Sequence, residues 1–312
     1  MTVTFSNGYV LSDLPYYNGY YTLTGKPLLI AYPGYDYIKA AINNGDDLWT
    51  VAALSEDDTA SITLETRGKY ADIQNARNIS YKDDRSLFPS DEVFANFRTI
   101  EAGNIKGGVV YRSASPCDNQ HNRATYTDAL ISGARVRCIL DLADDDAKIN
   151  GYISSDGFSC AYFLSLYSSG NVLPIALNMN FTSKEFKTKI AAGLAAMAEK
   201  EGPYLIHCTE GKDRTGFVCM LIEALAGATY EEIVGDYMIT YDNYYQINET
   251  LDRARYDVIV ENVLDPMISA MVGDDSVNVK TADLSRYAEK FLLDAGMTAS
   301  ELTALKDRLS GS

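Results

Sequence analysis

With 312 residues, 46% of them hydrophobic and 22% charged, the chain can bury a substantial core as one large domain or two smaller ones. Its net charge of −16 disfavours nucleic acid and anionic membranes as partners, so any anionic substrate has to be captured by a local cationic site. No stretch approaches the roughly 18 apolar residues of a membrane-spanning helix, and the five cysteines and two histidines show neither disulfide nor zinc spacing, so no metal or cofactor is expected.

The N-terminus, MTVTFSNGYVLSD, has neither a basic start nor an apolar run, so no signal peptide is expected. The chain reads as soluble, either cytoplasmic or exported after processing. Residues 1–70 read as a small β-rich module. The segments YYTLTGKPLLIAY, LWTVAAL and TASITLE are separated by turn signals at Asn18-Gly19, Pro33-Gly34 and Asn44-Gly45. Eight tyrosines fall within the first 40 residues. They offer either a sugar-stacking face or ring packing across strands, and the pattern favours packing.

Residues 71–92 are polar and irregular and read as a connector. Residues 93–312 read as an α/β domain with a largely parallel sheet flanked by helices. In this stretch GGVVYRS, VRCILDL and YLIHC are buried strands, while FKTKIAAGLAAMAEK and TGFVCMLIEALAG are helices. Cys138, inside VRCILDL, reads as a buried strand residue. The C-terminal third is helical throughout.

The stretch that carries chemistry runs from Tyr204 to Gly216, YLIHCTEGKDRTG. It passes from an apolar strand through a loop starting at Cys208 into a helix. The five residues Thr209, Glu210, Gly211, Lys212 and Asp213 separate Cys208 from Arg214, a spacing that lets the loop N–H groups point inward around a tetrahedral dianion with a helix N-terminus behind it. Gly211 permits the turn. Arg214 offers a planar fork to two phosphoryl oxygens. The same positive surroundings favour the thiolate of Cys208, a competent nucleophile. Thr215 is placed to hydrogen-bond the sulfur, and His207 to tune Cys208 through the backbone. Arg112, within GGVVYRS, braces the loop or the phosphate, or forms a surface ion pair. His121 reads as a loop histidine. The run Asp144, Asp145 and Asp146 reads as a solvated turn, and Asp141 as structural.

His-Cys-x-x-Gly-Lys-x-Arg-Thr resembles the signature of the protein tyrosine phosphatase superfamily. The fuller stretch from Cys208 to Gly216 is similar to the atypical bacterial tyrosine phosphatases, also called tyrosine/serine phosphatases. Asn96-Phe97-Arg98, Tyr111-Arg112-Ser113 and Ile139-Leu140-Asp141-Leu142 match that family's upstream landmarks, whereas Ala143 stands where the family usually carries arginine. The resemblance covers about residues 93–312 and leaves the N-terminal module unassigned. It implies a metal-independent phosphatase working through a phosphocysteine on Cys208. Arg214 would hold the phosphoryl group and Asp213 would act as general acid, since the single tryptophan, Trp49, is not followed by proline. Asp144, Asp145 and Asp146 compete for that role. The implied partner is a phosphorylated protein. A phosphoinositide or inositol phosphate is the alternative, with Lys212 a second loop cation and Glu210 an opposing charge. A non-catalytic phosphate- or sugar-binding protein is a reading from another class.

Overall fold

A computed structural model of the chain describes residues 1–311. They divide into two compact units, residues 1–80 with 252–266, and residues 81–251 with 267–311.

In the first unit, β1 (Thr2–Phe5) lies between β2 (Val10–Leu11) and β6 (Ala60–Thr63), antiparallel to both. A second sheet places β4 (Pro27–Ile30) between β3 (Tyr16–Tyr17) and β5 (Lys39–Ile42). Alternation along β1 sends Val3 and Phe5 inward and Thr4 outward. β4 is buried on both faces: Leu29 packs with Val3, Phe5 and Leu48, while Leu28 and Ile30 pack with Tyr17 and Ala41.

Two expectations change here. LWTVAAL is not a strand but opens as a one-turn helix, α1 (Leu48–Val51), because the Asp47 side chain caps the Trp49 N–H. The stretch read as a connector contains α2 (Ala71–Arg77), whose polar sequence buries only Ala76. The early tyrosines divide: Tyr17 enters the core, whereas Tyr20, Tyr32, Tyr35 and Tyr37 form an exposed chain of tilted and edge-on rings.

The second unit opens with α3 (Asp91–Ala95), capped by Ser90 and ended by Asn96 in the left-handed region. Its five-stranded sheet has the order β10 (Val172–Pro174), β9 (Cys138–Asp141), β11 (Tyr204–His207), β8 (Val110–Ser113), β7 (Arg98–Thr99). All pairings are parallel except β7 with β8, so the largely parallel sheet expected from sequence is present. Every residue of β9 and β11 is buried, as befits strands covered on both faces. The covering helices are α4 (Ala124–Gly133), α5 (Asp146–Ile153), α6 (Ala161–Ser168), α7 (Lys184–Ala198), α8 (Asp213–Leu225) and α9 (Tyr230–Tyr245). The chain leaves this unit for α10 (Arg253–Ile259), which packs on α2 in the first unit. It returns through α11 (Asp265–Val272), α12 (Leu284–Asp294) and α13 (Ala299–Ser310). No helix among the described residues is long and apolar enough to cross a membrane.

Candidate active site

β11 is the central strand, and its carboxyl end delivers Cys208 to the edge of the sheet, where parallel α/β folds bind ligands. Residues 208–212 connect it to α8, whose first residues are Asp213, Arg214 and Thr215. Cys208 is 3% exposed.

The loop's carbonyls are drawn away from its centre. Thr209 O accepts from the Ser115 N–H at 3.1 Å, and Glu210 O from the Tyr244 hydroxyl at 2.8 Å. Gly211 O accepts from Arg112 Nη2 at 3.0 Å and from Asn96 Nδ2 at 3.2 Å. No hydrogen bond among the described residues engages the N–H groups of Thr209, Glu210, Gly211 or Lys212. Four donors beside a thiol at a helix N-terminus make a cradle for a tetrahedral anion. Gly211 has φ +67°, and a Cβ there would sit 2.2 Å from the Ser113 carbonyl oxygen. Only glycine fits.

Arg214 reaches back over the loop, donating to Leu177 O at 3.3 Å and Thr209 Oγ1 at 3.4 Å. These are long bonds that a phosphoryl oxygen can replace. Thr215 is fully buried, with its hydroxyl unpartnered.

Arg112 is 1% exposed, so the surface-pair reading does not hold. Its Nη1 donates to Asp236 Oδ2 at 2.5 Å while Nη2 holds Gly211. Asp236, on α9, also takes a bond from Arg98 at 2.9 Å. Burial works to raise the Asp236 pKa, but Arg98 and Arg112 outweigh it and hold the carboxyl well below the usual range. Neighbouring Glu223 is pushed well above its ordinary value by burial and by Asp236.

His207 is fully buried, with Nδ1 3.4 Å from the Cys208 carbonyl oxygen. Burial pushes its pKa down to about 4, so the ring is neutral near pH 7. Asp141 accepts the Ala143 and Asp144 N–H groups, which fixes the turn after β9. Asp145 caps α5 and Asp146 accepts the Tyr167 hydroxyl; both are exposed, as a solvated turn requires. Asp144 departs from that reading. It is 2% exposed, with one oxygen near the Tyr152 hydroxyl at 3.2 Å and the other unpartnered. Burial and Asp141 both raise its pKa. Asp213 lies half-buried, its carboxylate 3.8 Å from Lys212 Nζ.

Asp141 and Asp144 also approach Cys117, their ligand atoms lying within 4.8 Å of one another. Burial raises the Cys117 pKa well above its ordinary value, so a neutral thiol faces carboxyls that themselves favour protonation.

The Lys212 side chain does not point a free charge into the loop. Nζ donates to the Tyr81 hydroxyl at 2.8 Å, lies 3.3 Å from Glu210, and sits over the Tyr81 and Tyr245 rings. His121 is not an idle loop residue: its ring lies 4.8 Å from that of Tyr81, and Nδ1 is 3.0 Å from Asp83. Sequence reasoning passed over Asp236, Tyr244 and Tyr81. Only Asn96 and Arg98 carried a signal, as parts of a family landmark.

Residues 170–311 match the model of the tyrosine phosphatase family. They hold the whole stretch from Cys208 to Gly216, so the match takes in the entire loop and the start of α8. The chain is 26% identical over 122 residues to the triple specificity protein phosphatase PtpB of Mycobacterium tuberculosis, covering 35% of this chain and 44% of that one. A tyrosine-protein phosphatase of Nostoc commune is 49% identical over 43 residues, 14% of this chain and 15% of that one. The chain thus spans less than half the length of the curated relatives it matches. Among solved structures, the core catalytic domain of a PP-IP phosphatase from S. cerevisiae, in complex with citrate, aligns with 56% of this chain and 94% of its own. The identity is 20% and the TM-score 0.31.

Proposed function

We propose that the protein hydrolyses phosphate monoesters through a phosphocysteine on Cys208, and that its substrate is phosphotyrosine in proteins, with phosphoserine and phosphothreonine as further substrates. The observation that carries this reading is the loop itself: four unpartnered N–H donors, three residues whose carbonyls are held by Ser115, Tyr244, Arg112 and Asn96, and a cysteine beside them. The Cys208 thiolate attacks phosphorus, the bond to the leaving oxygen breaks, and a carboxylic acid gives that oxygen its proton. Water then attacks the phosphocysteine, its proton returns to the carboxylate, and phosphate departs. Arg214 and the loop N–H groups are worth most to the trigonal-bipyramidal transition state, whose equatorial oxygens they meet. Thr215 can donate to the departing sulfur.

Asp213, beside the loop at the start of α8, is the proposed proton donor. A second reading gives that role to Asp144, favoured by its burial, its unpartnered oxygen and its raised pKa. For the substrate, the alternative is a phosphoinositide or inositol phosphate.

The test is a rapid detergent quench at neutral pH after mixing the protein with a 32P-labelled phosphotyrosine peptide. A protein-bound phosphate that withstands alkali and is released by mild acid or iodine, as an S–P bond requires, is expected in the wild type and absent in Cys208→Ser. Turnover that survives Cys208→Ser would overturn the mechanism. Faster turnover of a phosphoinositide than of the peptide would overturn the substrate assignment alone.

A further inference from the structure

Lys212 is the only cation besides Arg214 within the loop sequence, and a second phosphate on a substrate would be its natural partner. Its side chain is nevertheless committed elsewhere. The ammonium donates to the Tyr81 hydroxyl, which donates in turn to Glu210 Oε2 at 2.5 Å, and Glu210 also lies 3.3 Å from Nζ. The rings of Tyr81 and Tyr245 cover it at 5.2 and 5.7 Å from their centroids, and only 8% of Lys212 stays exposed.

This arrangement is anchored from beneath. Arg123, 3% exposed, donates to the Lys82 carbonyl at 2.9 Å and to Asp83 at 3.1 Å, fixing the two residues that follow Tyr81. Its guanidinium packs on the rings of Phe94 and Tyr244, and Tyr244 is the residue that holds the Glu210 carbonyl. The His121 ring packs at a tilt against Tyr81 and places Nε2 3.7 Å from Glu210. Burial raises the Tyr81 pKa to about 12, so its hydroxyl keeps the proton it gives to Glu210.

We propose that Tyr81 and Glu210 sequester Lys212 from the phosphate cradle and thereby restrict the site to singly phosphorylated substrates. This rests on the phosphatase reading above and deepens it. The loop uses the Lys212 N–H while withholding the Lys212 charge, so a second phosphate meets the Glu210 carboxylate instead of an ammonium. Releasing the lysine creates a subsite for polyphosphorylated ligands, including inositol polyphosphates.

The experiment compares kcat/KM for inositol hexakisphosphate with kcat/KM for a phosphotyrosine peptide, using the full chain. Tyr81→Phe keeps the ring and removes the bridging hydroxyl; Glu210→Gln removes the counter-charge. Each is expected to raise the polyphosphate-to-peptide ratio on the order of tenfold, the size of one charge-assisted contact. Adding Lys212→Met should return the ratio to its wild-type value. A ratio unmoved in both folded variants, or a rise that persists without Lys212, overturns the proposal. A second readout needs no catalysis and no variant. An amine-reactive label followed by peptide mass spectrometry should modify exposed Lys184 while sparing Lys212. Equal labelling of the two lysines overturns the sequestration even if the phosphatase reading stands. A protected Lys212 in a protein that turns over neither substrate upholds the sequestration and removes the phosphatase reading.

Discussion

Arg112 and Gly211 meet through one hydrogen bond, from the guanidinium Nη2 to the glycine carbonyl oxygen at 3.0 Å, and that bond sets which way the loop peptide faces. Turning the carbonyl outward is what leaves the following N–H, that of Lys212, free of any partner among the described residues. The guanidinium keeps its own position because Asp236 binds it from α9, and Arg98 binds Asp236 in turn. The orientation of a loop around Cys208 thus depends on a carboxylate 28 residues further along the chain.

Asp236→Asn should therefore impair both folding and turnover, in separable ways. Leaving Arg112 buried without its counter-charge costs about 3–5 kcal/mol, read as a lower denaturant midpoint. Replacing Arg112 by Met in the same chain removes the stranded charge and should recover much of that stability. Turnover should not recover, because Gly211 O then lacks its main donor. Recovery of both together would mean that the network serves stability alone.

Gly211→Ala tests the loop from its other side. The new methyl would lie 2.2 Å from Ser113 O at a φ of +67°, so the loop has to move away from β8. The left-handed residue alone costs about 1–2 kcal/mol and the clash adds to it. We expect kcat/KM to fall on the order of 10²-fold or more, the scale of losing one oxyanion donor. An unaltered kcat/KM would show that the cradle tolerates displacement.

Arg214→Lys keeps the charge and loses the fork. Since the two-pronged contact is made best to the transition state, the loss should fall on kcat, on the order of 10²-fold, with KM little changed. A change confined to KM would reduce Arg214 to a binding residue.

The sequence disclosed the loop because its parts are contiguous: one strand, five residues, one helix. It also disclosed β8, β9, β11, α7 and α8, whose apolar runs are long enough to separate strand from helix. What it withheld lies at a distance. Asp236 sits among other acids in EEIVGDYMITYDNYY, where nothing local distinguishes a buried counter-ion from a solvated face. Tyr81 sits in a stretch read as a connector because its partners, Lys212, Glu210 and His121, are supplied by other parts of the chain. Asp144 looked solvated within a run of three aspartates, yet Asp145 takes the capping role and the turn after Asp141 carries Asp144 inward. α1 escaped because one helical turn is too short to show a period, and Asp47 is its only sign.

His207 gives a pH dependence with a definite sign. Its pKa falls from an ordinary 6.5 to about 4 because burial penalises the imidazolium. Between these values the unfolded chain binds a proton that the folded chain refuses, so stability is full above about pH 6.5 and falls as pH drops toward 4. The loss is on the order of 3 kcal/mol. Asp141 and Asp144 have raised pKa values and act in the opposite direction, gaining stability on acidification, so the informative quantity is a difference between chains. Denaturant midpoints of wild type and His207→Gln should converge as pH is lowered from 6.5 to 4. Parallel curves across that window would remove His207 from the titration.

The proton donor is separable by leaving group. A good leaving group departs unaided, whereas an alkyl phosphate needs its oxygen protonated as the bond breaks. The variant lacking the true acid should therefore lose far more activity toward an alkyl or phenyl phosphate than toward an activated aryl phosphate, and should lose the alkaline limb of the kcat profile for the poor substrate. Asp213→Asn is expected to behave this way, as the carboxyl beside the loop at the start of α8. Asp144→Asn is the competing variant, because its carboxyl is buried, has an unpartnered oxygen and is pushed toward protonation. The double change of Asp145 and Asp146 to Asn is the control, since both side chains are exposed and serve α5 and Tyr167. If Asp144→Asn alone shows the leaving-group-dependent loss, the donor sits on the turn after β9 and the assignment to Asp213 falls. The roles proposed for Cys208 and Arg214 are untouched by either outcome, because both variants should retain the burst of phosphocysteine from the activated substrate.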